Sequence, residues 1–406
     1  MKKVKNVIEV SALSLYPAIL ILDPKFANNI MIILFLFIIG LKIHDNKKII
    51  LTKYEFFLTI FVGSILISIW FKNITINDDY TMLFRHLRWL ILPTLIGQLD
   101  INYQKIKLMM ISCGIGVLGY LIRLIQEVAS IKPQTISIGD FLKSPILWNY
   151  RYMSNYSIPQ TAIMMGVTSL IFYYSGIYIK NKKYLILTYM VSLLSFIILL
   201  STQSRGMLLT FVIISFAMLI ALKKKSIAIL NIGVMILAIS GILIFSNQRY
   251  IGRYQNLNRD TSILARIEIY NEAIRIFKEN KLTGVGFEGF EKAQNPKEYK
   301  YIDYYWHPHN MALKMLSEMG IIGFVAYYLF SINIIIMLYK TRKRNKLSIA
   351  GLITIGSLLI YENIETMMIK AIALPYLFFI LGICLNENYK IVEEKKFIED
   401  NRKNRE

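Results

Sequence analysis

Tyr305-Trp306-His307-Pro308-His309-Asn310-Met311-Ala312-Leu313-Lys314-Met315-Leu316-Ser317-Glu318-Met319-Gly320 carries two of the chain's four histidines and runs straight into an apolar segment that begins at Ile321. Pro308 suits the first turn of a helix, where the missing N–H costs nothing. Gly320 supplies a break ahead of the apolar run. His309 and Asn310 are therefore expected at the mouth of a short helix. Backbone N–H groups and the positive end of the helix dipole favour an anion there. The plainer reading is two histidines in an exposed loop by chance, and the rest of the chain decides between them.

Outward from this stretch the sequence is mostly apolar. Of 406 residues, 55% are hydrophobic and 13% aromatic. Runs long enough to cross a bilayer, roughly 17–25 residues, alternate with short charged loops. About twelve spans are expected: 6–22, 29–42, 54–71, 82–98, 106–126, 158–179, 184–200, 207–222, 227–245, 321–339, 347–360 and 368–385. The fold class is all-α and polytopic in the membrane. The net charge of +21 would suit nucleic acid, but the basic residues sit in short loops between spans, where topology and anionic lipid explain them. Cys113 and Cys384 fall in separate apolar runs and signal neither a disulfide nor a metal site. The amino terminus, Met1-Lys2-Lys3-Val4-Lys5, is read as the start of an uncleaved first helix.

If the spans alternate, all the basic segments share one face: 2–5, 42–53, 105–107, 180–183, 223–225, 340–346 and the tail after Lys390. By the positive-inside rule that face, with both termini, is cytoplasmic. Two long connections, 127–157 and 246–320, lie on the other side, and loops of that length carry function or disorder. In the second, Ile263, Ile267, Tyr270, Ile274 and Phe277 form an apolar stripe at helical spacing. An amphipathic helix is expected from about Ser262 to Glu279, with Asp260, Thr261 or Ser262 as its cap. Tyr301, Tyr304, Tyr305 and Trp306 read as interfacial anchors.

An ionisable group at mid-membrane costs about 2.5–3.5 kcal/mol on insertion scales, so each one calls for a reason. Arg205 follows Ser201-Thr202-Gln203-Ser204, a polar cluster with the look of a built pocket, although snorkelling would also place it. Arg85, His86 and Arg88 lie in the fourth span, Arg123 in the fifth, and Arg266 near the apolar stripe of the amphipathic helix. The planar guanidinium fork suits phosphate. The implied ligand is a phosphate or diphosphate at the outer boundary. Gly284-Val285-Gly286-Phe287-Glu288-Gly289 matches GxGxxG but lacks a surrounding βαβ unit and reads as a tight turn.

Three stretches resemble signatures of the O-antigen ligase superfamily. They are Thr202-Gln203-Ser204-Arg205 leading into a span; Ala265-Arg266-Ile267-Glu268-Ile269-Tyr270 followed by Gly284-Val285-Gly286-Phe287; and His309-Asn310 with Glu318-Met319-Gly320 and Gly323. The resemblance implies a GT-C-like organisation. Helices over 1–245 precede a periplasmic loop over 246–320 that carries the site; helices return over 321–389, and 390–406 is a cytoplasmic tail. It also implies a multi-pass protein of the cell inner membrane that takes a glycan from undecaprenyl diphosphate on the periplasmic face. Lipopolysaccharide ligases are the nearest likeness, with lipid A–core as acceptor. The family's essential groups carry onto Arg205, Arg266 and His309, and its span-four arginine onto Arg88.

Arg85, Asn310, Gln203 and Ser204 are further candidates for contact with substrate. Arg205, Arg266 and His309 are expected to converge on one outward-facing cavity. No metal, cofactor or nucleic acid is expected; membrane lipids and the two lipid-linked substrates are the expected partners. A polymerase on the same scaffold is the first rival reading. A lipid-linked sugar transporter is the second, weakened by the outward clustering of the charges and by the absence of a visible internal repeat.

Overall fold

The computed structural model describes most of the chain. Outside the described residues lie 1, 24–25, 28–32, 34–35, 38, 41–42, 45–48, 72–87, 132–157, 203, 223–260, 296–306, 367–372 and 404–406. Arg85, His86, Gln203, Asp260, the four interfacial aromatics, the ninth span and most of the second therefore fall outside it, as does most of the 127–157 connection.

The described regular structure is helical, with no strand. The helices are α1 (Lys2–Leu22), α2 (Lys53–Trp70), α3 (Leu92–Gly97), α4 (Tyr103–Ile131), α5 (Ile158–Gly176), α6 (Lys182–Ser201), α7 (Arg205–Leu222), α8 (Thr261–Glu279), α9 (Phe290–Ala293), α10 (Met311–Thr341), α11 (Leu347–Glu362) and α12 (Leu374–Lys403). Among the described residues, four segments are long and apolar enough to cross a membrane: Lys53–Trp70, Tyr103–Gln126, Lys182–Ser201 and Met311–Thr341. Leu13–Leu22, Arg88–Gly97, Arg205–Met218 and Leu347–Glu362 are shorter apolar helices. The expected amphipathic helix appears one residue early, as α8. The last expected span has its first residues outside the described ones; its helix is described from Leu374 and runs on through the basic tail to Lys403.

The chain divides into two compact units, Met1–Gly116 with Glu268–Glu406, and Val117–Ile267. In the second, α6 and α7 pack on α5. Gly166 admits Met207, and the Tyr174 hydroxyl donates to the Ser215 carbonyl at 3.1 Å.

In the first unit α10 is central, packed against α2 and α11, while α12 packs on α11 and α3. Phe61 of α2 lies 5.6 Å from Tyr327 and 5.9 Å from Phe330, centroid to centroid. The opposite face of α10 exposes Ile321, Val325, Leu329, Ile332, Ile336 and Tyr339, each 40–54% accessible. Three- and four-residue spacing makes that a continuous apolar stripe, the surface a lipid-facing helix presents.

Four basic segments gather at one end of this unit. Gln98 exchanges hydrogen bonds with the backbone of Ile50, at 3.1 and 2.7 Å. Asn386 donates to Gly97 and Leu99 carbonyls, Lys390 to that of Ile101. Arg344 pairs with Glu387 at 2.6 Å and Glu394 at 3.0 Å. The segments around 50–53, Lys105, 340–346 and Lys390 are thereby brought together. The start of α10 and the end of α11 lie at the far end of those helices, and the histidines are there.

Candidate functional site

Asn310 caps α10. Its backbone is extended (φ −152°, ψ 122°), and its Oδ1 accepts from the Leu313 N–H at 3.0 Å, the usual N-cap bond. Pro308 stands two residues before this cap, not in the first turn. The chain reverses between them because His309 takes a left-handed φ of +53°, a conformation uncommon for a non-glycine residue although histidine is among those enriched in it. The His307 ring supports the reversal: its Nδ1 accepts from the His309 N–H at 3.2 Å, and the two rings lie 4.1 Å apart.

The reversed stretch docks on the turn that closes α11. Asn310 Nδ2 donates to the Asn363 carbonyl at 2.9 Å, and His309 Nδ1 meets Glu365 Oε1 at 2.6 Å. Glu365 is itself fixed, its N–H donating to the Tyr361 carbonyl at 2.8 Å. Asn310 is thus engaged at both ends of its carboxamide. Asn310→Ala is expected to lower stability by about 1–2 kcal/mol through the lost cap, read as a fall of a few degrees in the thermal midpoint in detergent. Asn310→Asp, which keeps the accepting oxygen, should lose less. Equal losses would show that the cap is not what the side chain contributes.

Gly320 breaks α10 as expected, with φ 63° and ψ −163°. The Gly284–Gly289 turn crosses the helix at this break. Val285 and Gly286 N–H groups donate to Ser317 and Glu318 carbonyls at 3.0 and 2.9 Å. Ile321 and Ile322 donate back to Lys281 and Leu282 at 2.8 and 3.3 Å. The GxGxxG-like run is the tight turn anticipated, with positive φ at Gly284, Gly286 and Glu288. Under the crossing, Lys314 is fully buried with its ammonium 2.7 Å from Glu318 and 3.2 Å from Glu288. Glu318 also accepts from the Glu288 N–H at 2.9 Å. On α8, Arg275 forks onto Glu272 and Glu279 and donates to the Ala293 carbonyl, while Glu272 also accepts from the Asn295 N–H. Hydrogen bonding to Glu272, the largest influence, raises the Arg275 pKa above its usual value and keeps the clamp charged.

Arg205 opens α7 and is half-buried. In the described part of the polar run before it, the hydroxyls bond within the turn between α6 and α7. Ser201 and Thr202 hydroxyls return to the Ile198 and Leu199 carbonyls, and Ser204 Oγ accepts from the Met207 N–H at 3.4 Å. Arg266 lies on α8, half-buried. Both belong to the unit Val117–Ile267, whereas His309 and Arg88 belong to the other, and each unit is described by itself. Arg88 lies with its Cζ 4.4 Å from the Trp89 ring centroid.

Among the described residues, His307, His309 and Glu365 bring three possible metal-ligand atoms within 4.8 Å of one another. Two atoms sharing a tetrahedral zinc at about 2.0–2.2 Å would stand more than about 3 Å apart. The 2.6 Å between His309 and Glu365 is the spacing of a hydrogen-bonded pair. Sequence reasoning missed Glu365 and the Lys314–Glu318–Glu288 cluster. A signal for each was present: two carboxylates, Glu362 and Glu365, close together after the eleventh expected span, and a Lys–Glu pair four apart just ahead of an apolar run.

Residues 190–328, about a third of the chain, match a family model described as O-Antigen ligase. The matched segment contains Arg205, Arg266 and His309, and it supports the O-antigen ligase superfamily on which the three sequence signatures converge. Members of that family are glycosyltransferase-like enzymes acting on O-antigen. No curated protein matches the chain.

Proposed function

We propose that this protein is an O-antigen ligase, a polytopic enzyme of about twelve spans that transfers a glycan from undecaprenyl diphosphate to lipid A–core at the periplasmic face of the inner membrane. One observation carries the reading: within the matched family segment, the His309–Asn310 element is built at the end of its helical unit opposite the gathered basic loops. By the positive-inside rule the basic end is cytoplasmic, so the histidine faces outward, where a lipid-linked glycan is used.

Arg205 and Arg266 hold the diphosphate and offset the charge that develops on it as it leaves. Arg88, Arg85, Gln203, Ser204 and Asn310 belong to the surrounding substrate contacts. His309 takes the proton of the acceptor sugar hydroxyl. The hydroxyl oxygen bonds to the anomeric carbon as the bond from that carbon to the phosphate oxygen breaks, and the electron pair departs with the lipid diphosphate. A single displacement of this kind inverts the anomeric centre. Guanidinium groups supply the positive charge, so the scheme calls for no metal.

Purified His309→Ala or Arg205→Ala protein should transfer labelled glycan to core lipid at least about 100-fold more slowly than wild type. Full activity of both variants would remove the mechanism. The matched family also includes polymerases. A ligase deletion strain accumulates long lipid-linked chains, whereas a polymerase deletion strain shows single repeats.

A further inference from the structure

We propose that Glu365 is the positioning residue for His309, holding its imidazole in the form that carries the proton on Nδ1 and so presenting Nε2 as the accepting atom. The inference rests on the reading of His309 as the group that receives the acceptor's proton. A carboxylate can only accept, so a 2.6 Å contact between Glu365 Oε1 and His309 Nδ1 puts the ring proton on Nδ1. Nε2, across the ring, is then the basic nitrogen. The His309 side chain is 34% exposed and Glu365 only 14%, so the ring reaches solvent while its partner stays sheltered.

The pair is preset by the backbone on both sides. His307 Nδ1 receives the His309 N–H and fixes the left-handed turn. Asn310 ties the same turn to the Asn363 carbonyl, and Glu365 is held by Tyr361. The neighbouring carboxylate, Glu362, is 1% exposed and accepts from the Tyr327 hydroxyl, so it is committed elsewhere. When the acceptor hydroxyl gives its proton to Nε2, the ring becomes an imidazolium, and the Glu365 carboxylate offsets that charge without taking the proton. Substrate contact stays with His309; Glu365 acts through it.

The test uses full-length protein with undecaprenyl-diphosphate-linked glycan as donor and lipid A–core as acceptor. Glu365→Gln and Glu365→Ala should each lose about 100-fold in kcat while KM for the donor and the thermal midpoint stay near wild type. Glu365→Asp should recover at least part of kcat. Gln should do no better than Ala, because an amide that donates to Nδ1 stabilises the wrong ring form. A Gln variant close to wild type, or a loss confined to KM, overturns the proposal.

The ring form is also readable without substrate, from 15N spectra of histidine-labelled protein at about pH 8, where a free imidazole is neutral. His309 should show a protonated Nδ1, with that signature weakened in Glu365→Gln; its absence from wild type overturns the proposal. Should His309→Ala be fully active, the reading of the site itself fails. Should His309→Ala be inactive and Glu365→Gln active, only the positioning role fails.

Discussion

Gly320→Ala is expected to abolish the folded protein. Two independent obstacles meet at this residue. Its φ of 63° with ψ of −163° lies in a region essentially reserved for glycine. A Cβ built there would also sit 2.2 Å from the Leu282 carbonyl oxygen and 2.3 Å from its carbon, backbone atoms that cannot rotate aside. Gly284 is the reciprocal case: its φ is +67°, and its Cβ would lie 2.2 Å from the Glu318 carbonyl carbon. The two glycines let the 281–286 turn and the broken helix cross in contact, and four backbone hydrogen bonds close the crossing. Pulling the turn away from the broken helix strips those bonds from groups that helix geometry no longer satisfies.

A loss above about 4–5 kcal/mol is expected for Gly320→Ala, a large share of an ordinary folding free energy of 5–15 kcal/mol. The readout is the yield of monodisperse protein in detergent together with its thermal midpoint. Gly63→Ala is the internal control. Nothing lies within 4 Å of a Cβ at that position in α2, so this change should be neutral or stabilising by up to about 1 kcal/mol. Gly320→Ala protein that melts with the control would show that the crossing is not as described.

The crossing also marks where sequence reading stops. Helix α8 and the Gly320 break were legible because each rests on local chemistry: an apolar stripe at helical spacing, and a glycine ahead of an apolar run. Asn310 as a cap was within reach for the same reason, and Pro308 was misplaced because the left-handed turn at His309 is tied to Glu365, a partner that local rules cannot supply. Arg205 and Arg266 were picked out by the cost of charge near a membrane, and His309 by its place at the mouth of a helix. Glu365 lies 56 residues from His309, and no periodicity links the two. Ser201 and Thr202 show local chemistry accounting for part of a polar run. In the run ahead of Arg205 their hydroxyls bond carbonyls one turn back, the habit of serine and threonine in apolar helices.

Lys314→Met should be the most damaging change that leaves every backbone conformation allowed. The buried cluster holds one ammonium against two carboxylates. Lys314 is fully buried, Glu318 is 1% exposed and Glu288 is 15% exposed. Removing the cation leaves two negative groups facing each other under the crossing, away from water. Breaking a buried pair from one side costs about 3–5 kcal/mol. Removing a carboxylate has the opposite consequence for the count of charges. Glu318→Gln leaves Lys314 and Glu288 as a neutral pair, and the amide oxygen can still accept from the Glu288 N–H, so a cost near 1 kcal/mol is expected, that of one ordinary hydrogen bond. The double variant Lys314→Met with Glu318→Gln should then be more stable than Lys314→Met alone, a coupling that two independent contacts cannot produce. Thermal or denaturant unfolding of the four proteins in one detergent measures it. Additive losses, or a Glu318→Gln variant as unstable as Lys314→Met, would show that charge balance is not what holds the turn to the helix.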